Sequence, residues 1–158
     1  MTQHGSERPH ELKLDLPAAH SAERMARAVL RQFARRENVP DKEIETIEFV
    51  ASELLSNAVD HGGGDHAMEE SDLKGRVRMM LTFTVREDGW ALSVGDQGGG
   101  DPREIEPMLS DQTLPDLESD RGRGFFLLAQ MLEGLDVQRS SDGLGLEFTA
   151  TRVYSKRK

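Results

Sequence analysis

The segment from residue 41 to residue 61 constrains the fold more than any other part of the sequence. Its apolar side chains recur at steps of three or four residues, the spacing of one face of an α-helix: Ile44, Ile47, Ala51, Leu54 and Ala58. A helix with such a stripe must bury that face against another layer of structure. The rest of the chain must therefore supply a surface for this helix to cover.

Segments that alternate apolar and polar residues supply that surface. Residues 11–16 alternate before the helices, and residues 77–85 and 90–94 form an alternating pair around a Glu-Asp-Gly turn, which predicts strands. Two further strands are predicted over residues 136–139 and 146–153. Because a helical half precedes a mostly antiparallel half, we predict an α+β two-layer sandwich, with helices on one face of a mixed, mostly antiparallel sheet.

Two more helices and the domain limits follow from the same patterns. An amphipathic helix is predicted over residues 21–36, with an apolar stripe of Ala22, Met25, Val29 and Phe33. Another helix is predicted over residues 122–132. The acidic, proline-containing stretch 101–120 is predicted to be a mobile loop. The 158 residues fit one domain, so we expect a flexible leader over 1–10, one domain over 11–154 and a basic tail over 155–158.

The composition excludes several classes of function. The 20 basic and 29 acidic residues give a net charge of −9, which disfavours direct binding of nucleic acid. The chain has no cysteine, so disulfides and thiolate metal sites are excluded. No apolar run approaches the ~20 residues of a membrane helix, and the first residues lack the apolar core of a signal peptide. We therefore expect a cytoplasmic protein without a membrane partner.

The predicted second helix carries a pair of polar residues that could perform chemistry. Glu53 and Asn57 are four residues apart and therefore share a face, at the rim of the apolar stripe. As a functional pair, Asn57 would offer an oxygen to a hard cation such as Mg²⁺, and Glu53 would be a general base. Alternatively, both residues are the polar flank of an amphipathic helix.

Two glycine-rich segments could approach a ligand closely. Asp96-Gln97-Gly98-Gly99-Gly100 directly follows a predicted strand; it is either a ligand-binding loop or a flexible turn. Arg121-Gly122-Arg123-Gly124 opens a predicted helix; it is either a phosphate site formed by backbone N–H groups and arginines, or an ordinary helix start.

The order of these three motifs resembles the GHKL ATPase superfamily, with its Bergerat nucleotide-binding fold. Residues 51–62, ASELLSNAVDHG, look like its N box, residues 94–100 like its G1 box, and residues 122–125 like its G2 box. The resemblance covers residues 11–154 and is closest to the anti-sigma-factor serine/threonine kinases of bacteria. An ordered triple of motifs is more specific than any one of them.

The resemblance implies a role for each motif residue. Asn57 would hold Mg²⁺, Glu53 would accept the proton of the substrate hydroxyl, and Asp96 would bind the adenine amino group. Residues 101–120 would form the lid over ATP. The remaining ATP-binding residues would be His61, Gly98, Gly100, Arg121, Gly122, Arg123 and Gly124. Leu146 departs from the pattern, because relatives usually have Thr after the glycine that opens the last strand.

The function that the resemblance implies is that of an anti-sigma factor and ATP-dependent protein serine/threonine kinase. Such a protein binds a sigma factor, exchanges it for an anti-anti-sigma partner of the STAS type and phosphorylates that partner, with ATP and Mg²⁺. The resemblance also implies a homodimer. Two alternatives stay open: a catalytically weak or inactive ATP-binding regulatory module, and a stand-alone catalytic domain of the histidine-kinase type.

Overall fold

The computed structural model describes residues 10–61, 77–110 and 120–154, without the side chains of residues 108, 110 and 120–123. In chain order the elements are β1 (His10–Pro17), α1 (His20–Arg36), α2 (Asp41–His61), β2 (Arg78–Arg86), β3 (Gly89–Gly95), α3 (Pro102–Ser110), α4 (Asp120–Met131), β4 (Gly134–Arg139) and β5 (Leu146–Val153). The predicted leader and tail lie outside the described residues, except that His10 begins β1. None of the described helices is long and apolar enough to cross a membrane.

The five strands form one sheet in the order β1-β2-β3-β5-β4. One row of apolar side chains crosses the whole sheet in register: Leu14, Leu81, Val94, Phe148 and Val137. Side chains alternate between the two faces of a strand, so this row and its neighbours two residues away define one apolar face. The α+β prediction is confirmed. All four pairings among the described strands are antiparallel, whereas the sequence prediction allowed a mixed sheet.

The helices cover the apolar face, and α2 lies on it with the predicted stripe. All five residues of that stripe are buried. The stripe predicted for α1 needs correction: Met25 is 54% exposed, and the buried face consists of Ala22, Ala26, Leu30 and Ala34. Three alanines and one leucine at steps of four form this buried face, and Met25 lies outside it.

A polar cluster joins the start of α2 to the sheet. Glu43 is 8% exposed and accepts a hydrogen bond from Trp90 Nε1 at 3.0 Å. It also pairs with Arg152 Nε at 3.1 Å, and Arg152 in turn donates to the backbone carbonyl of Met131. Buried charges are tolerated when they are paired and hydrogen-bonded in this way. The cluster therefore fixes α2 against β3, β5 and the end of α4.

The stretch predicted to be a loop over 101–120 contains the helix α3. Asp101 Oδ1 accepts a hydrogen bond from the backbone N–H of Arg103 at 2.9 Å, as in a helix N-cap. Pro102 follows at the first helical position, where its missing N–H costs nothing. Ile105 is 7% exposed and belongs to the core. The prediction of a loop was wrong here because it treated the prolines only as breakers. Residues 111–119 lie outside the described part.

Candidate functional site

Asn57 is the most unusual polar residue of the described structure. It lies in the last third of α2 and is 8% exposed. Both of its side-chain polar atoms, Oδ1 and Nδ2, are buried and have no hydrogen-bond partner among the described residues. A buried amide without partners costs about 1–3 kcal/mol per group. Such a group in a folded protein requires an explanation, and a ligand that binds to it is one explanation.

The cleft that contains Asn57 lies between α2 and α4 and holds about 100 Å³. It brings together three residues predicted from the N box, Glu53, Asn57 and His61, with Gly124 of the predicted G2 box. Sequence reasoning missed four other lining residues, Ser56, Asp60, Phe125 and Leu128. The two from α2 lie three and seven residues after Glu53, so helical spacing could have identified them.

Gly124 allows α4 to approach α2 closely. A Cβ at this position would lie 2.7 Å from Glu53 Oε2, which is too close for any side chain without a movement of the carboxylate. Phe125 anchors this part of α4 to the sheet, since its ring centroid lies 5.3 Å from that of Phe148. Because position 124 has no side chain, the backbone of α4 can contact the Glu53 carboxylate.

The environment of Glu53 makes its carboxylate a stronger base than that of an ordinary glutamate. Burial raises the pKa of Glu53 above its usual value of 4.5, and the negative charge of Glu23 on α1 raises it further. A raised pKa brings a carboxylate closer to the pH at which general bases work well. Glu53 combines this property with a position on the wall of the cleft.

Asp96 forms a second cluster, where β3 ends beside the start of β5. It is 4% exposed, and its Oδ1 accepts hydrogen bonds from the backbone N–H groups of Gly98 at 2.9 Å and Leu146 at 3.1 Å. Both bonds use Oδ1, so Oδ2 accepts none from the described residues. An unpaired carboxylate oxygen at this place can accept a hydrogen bond from an amino group of a ligand.

Leu146 closes this cluster on the apolar side. Its side chain is 3% exposed, and a Cβ at Gly100 would lie 2.9 Å from its Cδ1. Gly145 is equally constrained, because a Cβ there would collide with the side chain and backbone of Asp96. The glycines at 100 and 145 thus let two loops converge on Asp96. In this structure Leu146 contributes backbone hydrogen bonding and apolar contact.

Several predicted site residues are not joined to the cleft by the described structure. Asp96, Gly98 and Gly100 are not among the residues that line it. Arg121, Gly122 and Arg123 lie in the first turn of α4, and their side chains lie outside the described part of the structure. The cleft alone is smaller than the ~300–1,000 Å³ of a typical small-molecule pocket.

A larger depression, of about 280 Å³, lies on the helix-free face of the sheet. The charged residues that line it are four acids and one base: Asp15, Asp96, Asp142, Glu147 and Arg78. Arg78 is already paired with Asp15 at 2.9 Å. The charged residues lining the cleft, Glu53 and Asp60, are also acidic, but the cleft is bordered by the first turns of α4, whose backbone N–H groups can bind an anion. This depression is therefore the poorer candidate for an anionic ligand.

The donor set of the cleft fits a hydrated Mg²⁺ held together with phosphates. Mg²⁺ prefers oxygen ligands, keeps several waters and is usually bound through one or two protein oxygens plus substrate phosphates. The orphaned Oδ1 of Asn57 is an oxygen of this type. No group of three or more His, Asp or Glu side chains in the described structure could hold a metal by itself. The cleft therefore suits a cation that arrives with a ligand.

The chain is similar to known proteins along most of its length. A family model described as a histidine kinase-like ATPase domain matches residues 16–150. The chain is 26% identical over 156 residues to the anti-sigma F factor of Bacillus subtilis, covering 94% of this chain and 96% of that protein. It is 27% identical over 135 residues to the serine-protein kinase RsbW of Bacillus velezensis, covering 82% and 79% of the two chains.

A solved structure has the same fold. The SiaB–SiaC complex of Pseudomonas aeruginosa contains a chain that superposes with a TM-score of 0.65, at 15% identity, over 89% of this chain and 88% of that one. The resemblance to GHKL ATPases, and among them to anti-sigma kinases, is confirmed by the family and sequence matches. The chain belongs to the histidine kinase-like ATPase domain family.

Proposed function

We propose that this protein is an anti-sigma factor and an ATP-dependent serine/threonine kinase of an anti-anti-sigma protein. The observation that carries the proposal is the buried, unpartnered Asn57, which shares one cleft with Glu53 and Gly124. The names of the similar proteins, anti-sigma F factor and serine-protein kinase, support the same activity.

The base of ATP is recognised at Asp96. Its Oδ1 is occupied by two backbone N–H groups, which orients the carboxylate and leaves Oδ2 for the exocyclic amino group of adenine. The side chain of Leu146 and the backbone at Gly98 and Gly100 provide the apolar and close-packed surroundings of the ring. A base with a carbonyl in place of the amino group would face this oxygen without a hydrogen bond.

The phosphates are bound in the cleft between α2 and α4. The N-terminus of α4 directs backbone N–H groups and the positive end of its helix dipole toward an anion. We assign Gly122 and Gly124 to close approach of this backbone, Arg121 and Arg123 to charge neutralisation, and His61 to the rim. Asn57 would hold Mg²⁺, which supplies charge neutralisation for the phosphates.

Glu53 is the general base of the transfer. The carboxylate accepts the proton of the substrate's serine or threonine hydroxyl, while the hydroxyl oxygen forms a bond to the γ-phosphorus. The bond from the γ-phosphorus to the β–γ bridging oxygen breaks, and ADP leaves with that oxygen. Phosphoryl transfer depends mainly on positioning and charge stabilisation, so the role of Glu53 is limited to orienting the hydroxyl and accepting its proton.

The proposed partners are a sigma factor and a STAS-type anti-anti-sigma protein. The kinase would bind the sigma factor, exchange it for the anti-anti-sigma protein, and release the latter when it is phosphorylated. A homodimer and a cytoplasmic location belong to the same proposal. Its support is the similarity to anti-sigma F factors over nearly the whole length of both chains.

Phosphotransfer from γ-labelled ATP to a candidate anti-anti-sigma protein, encoded by a neighbouring gene, tests this function. We expect a label that survives acid, as phosphoserine and phosphothreonine do, and a rate that falls about 10²–10⁴-fold in Glu53→Gln. The variant should keep ATP binding. An acid-labile label would indicate a histidine kinase, and an unchanged rate in the variant would contradict the role of Glu53.

Leu146 favours a second candidate, a regulatory module that binds ATP without turnover. Its buried side chain offers no hydroxyl beside the base-binding cluster, where relatives usually have threonine. Phosphotransfer by wild type separates the two candidates. A module that only binds should bind ATP but transfer no phosphate, either as wild type or as Glu53→Gln.

A further inference from the structure

Glu23 on α1 joins the two helices directly behind the cleft. Its Oε1 accepts a hydrogen bond from Ser52 Oγ at 2.5 Å, and its Oε2 accepts one from Ser56 Oγ at 2.8 Å. The side chain of Glu23 is 13% exposed. Short hydrogen bonds to an ionised acceptor are roughly twice as strong as neutral ones. Glu23 therefore ties two consecutive turns of α2 to α1.

The two serines immediately precede the two proposed functional side chains of α2. Ser52 precedes Glu53, and Ser56 precedes Asn57. A rotation or slide of α2 that displaced either functional side chain would therefore stretch both hydrogen bonds to Glu23. Asn57 has no hydrogen-bond partner of its own in the described structure, so the backbone of α2 determines its position.

The two contacts of His20 near this end of the helices are weaker. His20 Nε2 lies 3.0 Å from Asp60 Oδ1, and His20 Nδ1 lies 3.8 Å from Glu23 Oε2. Both His20 and Asp60 are more than half exposed, and exposed ion pairs contribute little to stability because water screens them. The less exposed bonds of Glu23 are therefore the stronger link between α1 and the functional turns of α2.

We propose that Glu23 is a positioning residue, which fixes the functional turns of α2 through its two serines. It does not line the cleft, so it acts through the helix rather than on the substrate. The expected effect on turnover rests on the proposed kinase function, whereas the effect on the structure of α2 does not.

The chain offers a matched control for this inference. Arg31 also joins α1 to α2, with its Nη2 and Nε at 2.6 and 2.9 Å from Glu48 Oε1. This ion pair lies about two helical turns from Glu23 along α1. If loss of Glu23 acted only by loosening the two helices, Glu48→Ala would have a similar effect.

The first measurement is phosphotransfer kcat and KM for ATP. Residues that orient the groups of a metal site typically contribute about 10–100-fold, so we expect Glu23→Ala to lower kcat at least 10-fold. KM should change less than threefold. Glu23→Gln should retain most activity, because its amide can accept from one serine and donate to the other, and the charge it removes is the smaller cause of the raised pKa of Glu53, after burial. Glu48→Ala should stay within twofold of wild type. Equal losses in both alanine variants, or equal losses in Glu23→Gln and Glu23→Ala, would overturn the proposal.

The second measurement needs neither ATP nor turnover. In ¹⁵N-labelled protein without ligands, Glu23→Ala should shift the side-chain amide signals of Asn57, and Glu48→Ala should leave them in place. Unmoved signals in Glu23→Ala would overturn the proposal even if the protein is an active kinase. If wild type transfers no phosphate, the proposed function fails and these signals still decide the role of Glu23. Should Glu23→Ala not fold, Ser52→Ala removes one of the two bonds and takes its place.

Discussion

Gly124→Ala should separate the chemistry of the cleft from the stability of the fold. The added Cβ would lie 2.7 Å from Glu53 Oε2, about 0.8 Å inside the ~3.5 Å of a relaxed contact. The oxygen is the far end of a flexible side chain, so the carboxylate can rotate away while the backbone stays in place. A displacement of roughly 1 Å at a reacting group costs on the order of 10²-fold in rate. We therefore expect phosphotransfer to fall about 100-fold.

The same substitution should hardly change the free energy of unfolding. Alanine is favoured over glycine inside a helix by roughly 0.5–1 kcal/mol, and an off-rotamer glutamate costs about 0.5–1.5 kcal/mol. The two effects nearly cancel. Urea denaturation followed by the fluorescence of Trp90, the one tryptophan of the chain, measures the result.

Gly134→Ala is the control for this experiment. Its added Cβ would lie 3.7 Å from Thr151 Cβ, an ordinary contact remote from the cleft. Both its rate and its stability should stay close to those of wild type. Phosphotransfer within twofold of wild type in Gly124→Ala would refute the close approach of α4 to Glu53. A loss of several kcal/mol of stability would refute the idea that the carboxylate can move aside.

Three further variants test other parts of the structure. Asn57→Leu should stabilise the fold by about 1–2 kcal/mol, because it removes a buried amide without described partners, and should abolish Mg²⁺-dependent ATP binding; a destabilised variant would show that the amide has a structural partner. Glu43→Ala should cost about 1–3 kcal/mol in urea denaturation, because the buried Trp90 Nε1 loses its acceptor, whereas Arg152 keeps Met131 O and Glu133; an unchanged stability would contradict this. Glu53→Gln should be more stable than wild type at pH 7. The raised pKa of Glu53 means that its stabilising contribution is complete below its ordinary pKa of 4.5 and is lost as the pH rises through the folded value, so the two proteins should converge at low pH.

The sequence was sufficient to predict the elements in which apolar residues recur at one regular spacing. The stripe of α2 is buried as predicted, because five apolar residues at helical spacing leave one way to face the sheet. The helix α1 was harder, since several of its faces contain small apolar residues. Burial there follows Ala26 and Leu30, which fit against neighbours that a single sequence does not reveal.

The candidate site was predictable where motif residues lie on one helix. Glu53 and Asn57 share a face by spacing alone, and they line one cleft in the structure. The contact of Gly124 with Glu53, and the bonds of Leu146 to Asp96, join residues far apart in sequence. Only the register of β3 with β5 and the packing of α4 on α2 bring them together.

The most direct test of the nucleotide site is calorimetric titration of ATP with Mg²⁺ into wild type and Asp96→Asn. Asparagine keeps an oxygen for the backbone N–H groups of Gly98 and Leu146, so the loop should stay folded, while its NH₂ group replaces the free acceptor Oδ2. Loss of a hydrogen bond to a charged group costs about 1.5–3 kcal/mol. We predict micromolar binding by wild type and roughly 10–100-fold weaker binding by the variant. No binding by wild type, or equal affinities, would contradict an ATP site at Asp96.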